Sequence, residues 1–467
     1  MNIGSKIKNL EILQTIGSIA DDNKLEAYVI GGFVRDLLLG RDNYDIDIMC
    51  VGSGIFLADK VAKELNCMNV AVYANFGTAM IKHDNIQLEF VGARKESYDR
   101  SSRKPIVENG TFEDDQLRRD FTINTLAISI NKNTFGELKT ITSGIEDLKN
   151  KIIRTPVDAD KTFSDDPLRM LRAIRFATQI SFTIEQNTFE AIKRQRERIK
   201  IISYERIRDE INKILLSPKP SVGLMLLSEC GLLDIIMPFI ENLKGKLQIG
   251  RFSHKDIFFH TLQVLDNVAT MSDSLLLRWA AILHDIAKPQ TKRFDMEHGF
   301  SFHGHEELGA RMVKDIFTTF KLSKESAQYV SRLVRLHLRP IVIAQDEVSD
   351  AGVRRLVAEA GEGFDDLMRL CRADITSHNP VKIIQYLNNF DKVEIKVKDI
   401  LKKDYIRTLQ PVITGEMIMK ELHLQPGPIV GRIKKKLKEA ILNGSVNNTL
   451  SELHEYMMEI IKNFNTK

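Results

Sequence analysis

The stretch Gly31-Gly32-Phe33-Val34-Arg35-Asp36-Leu37-Leu38-Leu39-Gly40, followed by Asp45-Ile46-Asp47-Ile48, decides how this chain is read. The preceding run Tyr28–Ile30 predicts a short strand that enters a Gly-Gly turn, where glycine lets the backbone approach a phosphate closely. Residues Phe33–Leu39 carry a helical apolar pattern ending at Gly40, a suitable C-cap. In the next strand Asp45 and Asp47 stand two apart, so both project from one face while Ile46 and Ile48 take the other. Two close carboxylates repel, and a divalent cation offsets that repulsion; hard oxygen ligands of this kind suit Mg²⁺. A half-exposed strand with a solvated acidic face has the same pattern, and D-x-D alone favours that plainer reading. Arg35, just after the glycines, adds a phosphate partner and shifts the balance. Other phosphate loops do not compete: there is no G-x-x-x-x-G-K-[ST], and Gly52-x-Gly54 is followed by Leu57 where a dinucleotide fingerprint needs glycine or alanine.

Two further blocks lie outward from this one. Leu117-Arg118-Arg119-Asp120-Phe121-Thr122-Ile123-Asn124-Thr125-Leu126-Ala127 supplies charge and hydrogen-bond partners for a triphosphate and a ribose, or a surface salt-bridged turn. Asp165-Asp166-Pro167-Leu168-Arg169-Met170-Leu171-Arg172-Ala173-Ile174-Arg175-Phe176 opens with an N-cap candidate and a proline suited to the first helical position. Steps of three residues turn a helix back by about 60°, so Asp166, Arg169 and Arg172 are expected on one face with Arg175 at its edge. An aspartate beside an arginine fork suits the Watson–Crick edge of a base, and the later arginines suit phosphates.

In order and spacing, G-G-x-V-R-D with D-x-D, then R-R-D-F-T-I-N, then D-D-P-L-R-M-L-R-A-I-R-F resemble the class II tRNA nucleotidyltransferases. These are the CCA-adding enzymes and the related bacterial poly(A) polymerases; the resemblance is close over about residues 20–215. It implies an α+β head of the polymerase-β-like nucleotidyltransferase fold, a mixed sheet with helices, followed by an all-α neck, body and tail. It also implies Mg²⁺ on Asp45 and Asp47, with Gly32, Arg35, Arg118 and Arg119 on the incoming nucleotide. Asp120 and Asn124 would lie near the ribose. Asp166 and Arg169 would act as a protein template for cytosine or adenine, with Arg172 and Arg175 alongside. Asp165 stands where the family often has glutamate, and Thr125 where alanine is usual; neither change removes a contacting group. The implied reaction is two-metal nucleotidyl transfer with in-line attack at the α-phosphorus and no protein base. Glu89, in the strand Gln87–Val91, is a candidate third carboxylate whose plainer reading is a solvated side chain. The stretch Arg94–Asp115 corresponds to the family's flexible loop. Relatives adding only two cytidines shorten that loop, so its length favours addition of the full C-C-A. An A-adding enzyme or poly(A) polymerase shares these motifs and stays open as an alternative.

Beyond residue 250, His260, His284-Asp285, His305, His337 and Asp374 form a second set. Such residues on several helices can converge inside a bundle. The order H…HD…H…H…D resembles the HD phosphohydrolase superfamily over about residues 255–376. It implies His260, His284, Asp285 and Asp374 as metal ligands, with His305 and His337 available to a second metal. Imidazole-rich sites suit a divalent transition ion such as Ni²⁺, Co²⁺, Mn²⁺ or Fe²⁺ rather than Mg²⁺. A metal-dependent phosphohydrolase as the principal activity is the alternative from a different class, and the intact Asp45/Asp47 pair argues against it.

Composition bounds the rest. A length of 467 residues suggests about three domains. The motifs divide them as a head (1–155), a helical neck (156–250), an HD region (251–380) and a helical tail (381–467). Hydrophobic residues at 43% exclude wholesale disorder, and 67 Lys+Arg against 63 Asp+Glu exclude a histone-like nucleic-acid binder. Local basic runs remain. Lys193, Arg194, Arg196 and Arg198, and Lys434, Lys435 and Lys436, are candidate contacts to a tRNA backbone, or ordinary solvated helix faces. Cys50, Cys67, Cys230 and Cys371 lie far apart without a C-x-x-C pair, which fits a reducing, cytoplasmic setting. No signal-peptide core opens the chain, and Ser221–Ile240 is too interrupted to span a membrane. The partners expected are tRNA, ATP and CTP.

Overall fold

The computed structural model describes residues 2–7, 11–67, 69–74, 77–97, 106–250, 252–345, 350–377, 379–408, 410–442 and 445–464. Among the described residues the head's main strands are β1 (Ala27–Ile30), β2 (Asp45–Cys50), β3 (Val70–Tyr73), β4 (Thr78–His83), β5 (Ile86–Gly92), β6 (Arg94–Ser97), β7 (Ile106–Asn109), β8 (Ala127–Ser129) and β9 (Leu138–Lys139). Seven form one mixed sheet in the order β3-β4-β5-β2-β1-β8-β9, in which β2 and β5 are the one parallel pair. The centre of the sheet is β-branched and sealed; every residue of β1 is buried, and so are Ile46 and Ile48 on the inner face of β2. Helix Gly32–Leu39 follows β1 and closes at Gly40, which adopts φ +69° and so makes the left-handed C-cap. Strands β6 and β7 pair as a hairpin within the long stretch 94–115, whose residues 98–105 lie outside the described set.

Helix Leu168–Ile180 buries Met170, Leu171, Ala173, Ile174, Phe176 and Ala177 and packs on helices Tyr204–Leu215 and Pro220–Glu229. Arg169 and Arg172 are then left for the head side. Further helices, Ile257–Met271, Leu275–Leu283, His305–Thr319, Lys324–Leu336 and Phe364–Ala373, form a bundle whose core includes Trp279 against Phe317 and Phe320. Arg278, 1% exposed, ties this bundle to the neck by donating to the carbonyls of Leu215 and Ser217.

The chain resolves into two compact units, residues 1–337 with 365–376, and residues 338–364 with 377–467. Residues 338–364, inside the region read as HD, thus pack with the tail. In that second unit the long helix Pro380–Thr408 packs on Arg339–Gln345 and Asp350–Ala360. A separate core of Ile413, Ile418, Val430, Ile433, Leu437, Leu453 and Met457 joins the last three helices. Among the described residues no helix is long and apolar enough to cross a membrane.

Candidate active site and metal centre

The head site forms where β2 meets β5. Parallel pairing sets Asp47 directly beside Glu89 and Asp45 beside Gln87, so both aspartates and Glu89 share one face. Glu89 is therefore a neighbour of the pair and not a solvated bystander, a position that a lone glutamate in the sequence does not reveal. Burial, followed by the charge of Glu89, pushes the Asp47 carboxyl up to about 6, against the lowering effect of Arg119. Carboxylates that destabilise one another in this way fit a divalent cation.

The glycine that the backbone demands is Gly31. It has φ +71°, and a Cβ there would stand 3.3 Å from Asp47 Oδ2 and 3.4 Å from Arg119 Nη1. Gly32, the residue read as the nucleotide contact, opens the helix and would bring a Cβ into only ordinary contact.

One hydrogen-bonded chain links the three sequence blocks. Arg35 donates from Nε and Nη2 to Asp36, and from Nη1 to Asn124 Oδ1 at 2.9 Å. Asn124 Nδ2 donates to Asp120 Oδ1 at 2.9 Å, and Arg172 donates to Asp120 Oδ2 from Nε at 2.8 Å and Nη2 at 2.5 Å. Burial opposes ionisation of Asp120, yet Arg172 and Asn124 hold its carboxyl far below the usual range. Asp120 and Asn124, expected near the ribose, thus spend their polar atoms on Arg172 and Arg35. Asp115, which no motif singled out, is fully buried and holds both Arg118 and Arg119. Its signal was present as an acid followed three and four residues later by arginines at a helix end.

Helix Leu168–Ile180 presents Arg169, whose Nη2 donates to the carbonyl of Arg118 at 2.6 Å. Asp166 accepts from the Leu168 N–H at 3.2 Å and pairs with Arg206 at 3.6 Å. Arg175 departs from expectation. It is buried, paired with Glu210 at 3.2 Å, and its guanidinium lies 4.1 Å from the centroid of the Phe176 ring. The reason is periodicity: three steps of about 60° bring Arg175 to the face opposite Asp166, not to the edge of its own. The Phe176 ring also meets Arg35 at 4.9 Å and Arg172 at 5.4 Å, so it seats all three arginines.

The first basic run is partly neutralised by acids of its own helical turns and by Asp160 from another helix. Lys193 pairs with Glu190, Arg194 with Asp160, and Lys200 with Glu197, while Arg198 donates to the Ser164 carbonyl and Arg196 to that of Lys193. In the second unit Lys435 and Lys436 are exposed and Lys434 half-buried, on a helix that buries Ile433 and Leu437.

The helical bundle brings its histidines and aspartates together. His260 Nε2 lies 2.9 Å from Asp374 Oδ1 and 3.3 Å from His284 Nε2, and His284 Nε2 lies 3.3 Å from Asp285 Oδ2. The other oxygen, Asp285 Oδ1, faces His305 Nε2 at 3.4 Å and His337 Nε2 at 3.9 Å. Asp285 therefore stands between two donor sets. The Nδ1 atoms of His284, His305 and His337 donate to the carbonyls of Ala281, Phe302 and Val334, and His260 Nδ1 lies 2.9 Å from Thr376 Oγ1. In the neutral imidazoles of His284, His305 and His337 those carbonyls select the tautomer whose Nε2 lone pair points inward. Asp285 Oδ1, His305 Nε2 and His337 Nε2 are buried without a hydrogen-bond partner, a donor set whose chemistry fits a divalent cation. Burial disfavours charge on His284, but Asp285 and Asp374 outweigh it and push its pKa up to about 10; burial instead pushes His337 down to about 4.

Residues 27–154 match the family described as the Poly A polymerase head domain, 181–244 the Probable RNA and SrmB-binding site of polymerase A, and 257–377 the HD domain. An A-adding tRNA nucleotidyltransferase of Deinococcus radiodurans is 33% identical over 72% of this chain and 76% of its own. A CC-adding tRNA nucleotidyltransferase of Thermus thermophilus is 30% identical over 93% of both chains, and a CCA-adding enzyme of Leuconostoc mesenteroides 26% over 97% of both. The Thermotoga maritima CCA-adding enzyme complexed with tRNA shares the fold, with a TM-score of 0.61 at 21% identity over 98% of this chain and 99% of that one. Fold and site define a nucleotidyltransferase with a helical RNA-binding region and an HD domain. The chain belongs to the tRNA nucleotidyltransferase family.

Proposed function

We propose that this chain rebuilds tRNA 3′ ends, adding CMP, CMP and AMP from CTP and ATP with release of pyrophosphate. The observation that supports it most is the convergence of Asp45, Asp47 and Glu89 on one sheet face beside Gly31, Arg35 and Arg119. The family's chemistry uses a divalent metal, and Mg²⁺ on Asp45 and Asp47 is the ion proposed for the head. When bound, it supplies Lewis-acid activation of the acceptor hydroxyl and neutralises phosphate charge. Gly31 and Gly32 let the backbone come close to the triphosphate, while Arg35, Arg118 and Arg119 balance its charge. Asp120 and Asn124 act by positioning Arg172 and Arg35. Asp166 and Arg169 read the base edge. In the transfer, the acceptor O3′ bonds the α-phosphorus, pyrophosphate leaves with the bonding pair, and the hydroxyl proton passes to water. Lys434, Lys435 and Lys436, with the less neutralised residues of 193–198, are proposed contacts to the tRNA backbone.

The β6–β7 hairpin supports the full C-C-A product, since the corresponding loop is long. Relatives named A-adding and CC-adding, at 33% and 30% identity, favour a second reading in which the chain adds only part of the end. Both are tested by incubating the protein with tRNAs ending before the CCA, after one C and after both, with CTP, ATP or the two together. Two C additions, one A and a stop support the first reading. Addition of A alone to a CC end, or of two C with no A, supports the second, and long A tails reject both. For the HD bundle we propose a transition metal on His260, His284, Asp285 and Asp374, with His305 and His337 offering a second position across Asp285. The orphaned Nε2 and Oδ1 atoms support that assignment.

A further inference from the structure

We propose that the outer half of the head sheet, centred on Tyr73, is the subsite for the terminal nucleoside of the acceptor RNA; this rests on the nucleotidyl-transfer reading above. The register carries the argument. Asp47 pairs with Glu89, Glu89 with Met80, and Thr78 with both Val91 and Tyr73. Laterally paired residues, and residues two apart along a strand, share a face. The face that carries the carboxylates on β2 therefore continues over β5, β4 and β3 as Glu89, Val91, Met80, Thr78 and Tyr73.

Those residues, with Arg94, line an open concavity of about 410 Å³, within the size of small-ligand sites. Its floor is apolar, from Met80 and Val91. Tyr73, half exposed, offers an aromatic ring, and Arg94 brings a cation to the rim. An aromatic ring over an apolar floor with a cation at the edge is the chemistry that holds an unpaired base and its phosphate without reading sequence.

Its place relative to the carboxylates gives the role. The groups suited to the triphosphate, Gly31, Arg35 and Arg119, belong to β1, the helix after it and the turn before β8, on the β1 side of β2. The concavity lies on the β5 side. In-line displacement requires attacking and leaving oxygens on opposite sides of the phosphorus. With the pyrophosphate toward β1, the attacking 3′-hydroxyl comes from the β5 side, where a nucleoside stacked on Tyr73 would deliver it. A site that must accept first a tRNA end, then C, then a second C gains from a contact indifferent to base identity.

The test uses the full-length protein and a tRNA lacking its CCA. Tyr73→Ala is expected to raise KM for the tRNA about tenfold while leaving KM for CTP within twofold, and Tyr73→Phe to restore wild-type values. Tyr73 is half exposed, so Tyr73→Trp is tolerated; its fluorescence should be quenched by the tRNA and not by CTP alone. An unchanged tRNA KM in Tyr73→Ala, in a wild-type background that adds nucleotides, overturns the subsite alone. Absence of quenching by tRNA overturns it as well. A wild-type protein that adds no nucleotide sinks the activity, and the fluorescence titration then reports RNA binding independently.

Discussion

Arg172 donates two hydrogen bonds to Oδ2 of Asp120, at 2.8 and 2.5 Å, across 52 residues of sequence. The same carboxylate accepts from the Phe121 N–H and from Asn124, so all of its capacity is internal. Asn124 in turn accepts from Arg35, 89 residues away, at 2.9 Å. The helix that carries Arg169 is thereby registered against helix Gly32–Leu39, the element that leads into the strand of Asp45 and Asp47. A base reader and a reaction centre on separate elements need such a tie, because small misplacement of a substrate costs much of the rate.

This tie predicts a specific acid sensitivity. The folded Asp120 carboxyl is held far below its unfolded value, so its stabilisation is complete above the unfolded pKa of about 4 and is lost as pH falls toward the folded value. Asp120→Asn is expected to cost about 1–3 kcal/mol at pH 7, since it weakens the charge-assisted hydrogen bonds of a partly exposed Arg172. Thermal unfolding followed from pH 7 to pH 3 should then show a shallower acid decline than wild type. Equal slopes would mean that Asp120 is not held as described.

Glu89→Gln keeps shape and removes charge beside Asp47. The expected result is a kcat lower by about 10- to 100-fold, with KM for CTP little changed, as for groups that support metal ligands. Asp45→Ala with Asp47→Ala should remove addition altogether. Surviving addition in that double variant would move the reaction centre elsewhere.

The HD bundle should be separable from addition. Purified wild-type protein is expected to carry a transition metal detectable by elemental analysis, and His284→Ala with Asp285→Ala to lose it. Nucleotide addition, assayed with Mg²⁺ supplied, should survive in that variant if circular dichroism shows it folded. A chelator should lower the wild-type Tm, since an ion at 100 times its Kd adds about 2.7 kcal/mol. Equal metal content in both proteins would contradict the ligand assignment.

Thiol chemistry gives an independent check on packing. Cys50, Cys230 and Cys371 are buried, and burial pushes Cys50 up to about 12 and Cys230 up to about 11; Cys67 alone is partly exposed. An aromatic disulfide reagent should titrate one thiol quickly in the native protein and four after denaturation. More than one fast thiol would show that a core is looser than described.

Much of the site was legible from the chain because its parts are local. The Gly-Gly turn, the alternation that puts Asp45 and Asp47 on one face, and the cap before Leu168 each depend on a few neighbouring residues. Glu89 was discounted because nothing within its own strand distinguishes it. Its meaning comes from the parallel pairing of β2 with β5, a contact between distant segments. Arg175 read as a ligand because spacing by threes suggests one face, yet its rotation and Glu210 from another helix bury it. The run at 193–200 read as strongly basic until the fold placed Asp160, 34 residues away, beside Arg194.

By itself, then, the sequence determined which residue types stand at chemically useful spacing: the paired aspartates, the arginine blocks, the ordered histidines, and a family resemblance built on them. The tertiary structure alone decided which charges are free to act and which are spent. It set Glu89 beside Asp47, closed Asp120 around Arg172, and pointed the imidazole lone pairs of the bundle at Asp285. The reason is physical. Periodicity acts over a turn or a pleat, whereas the field at a carboxylate is the sum over every charge and dipole the fold brings within a few ångströms.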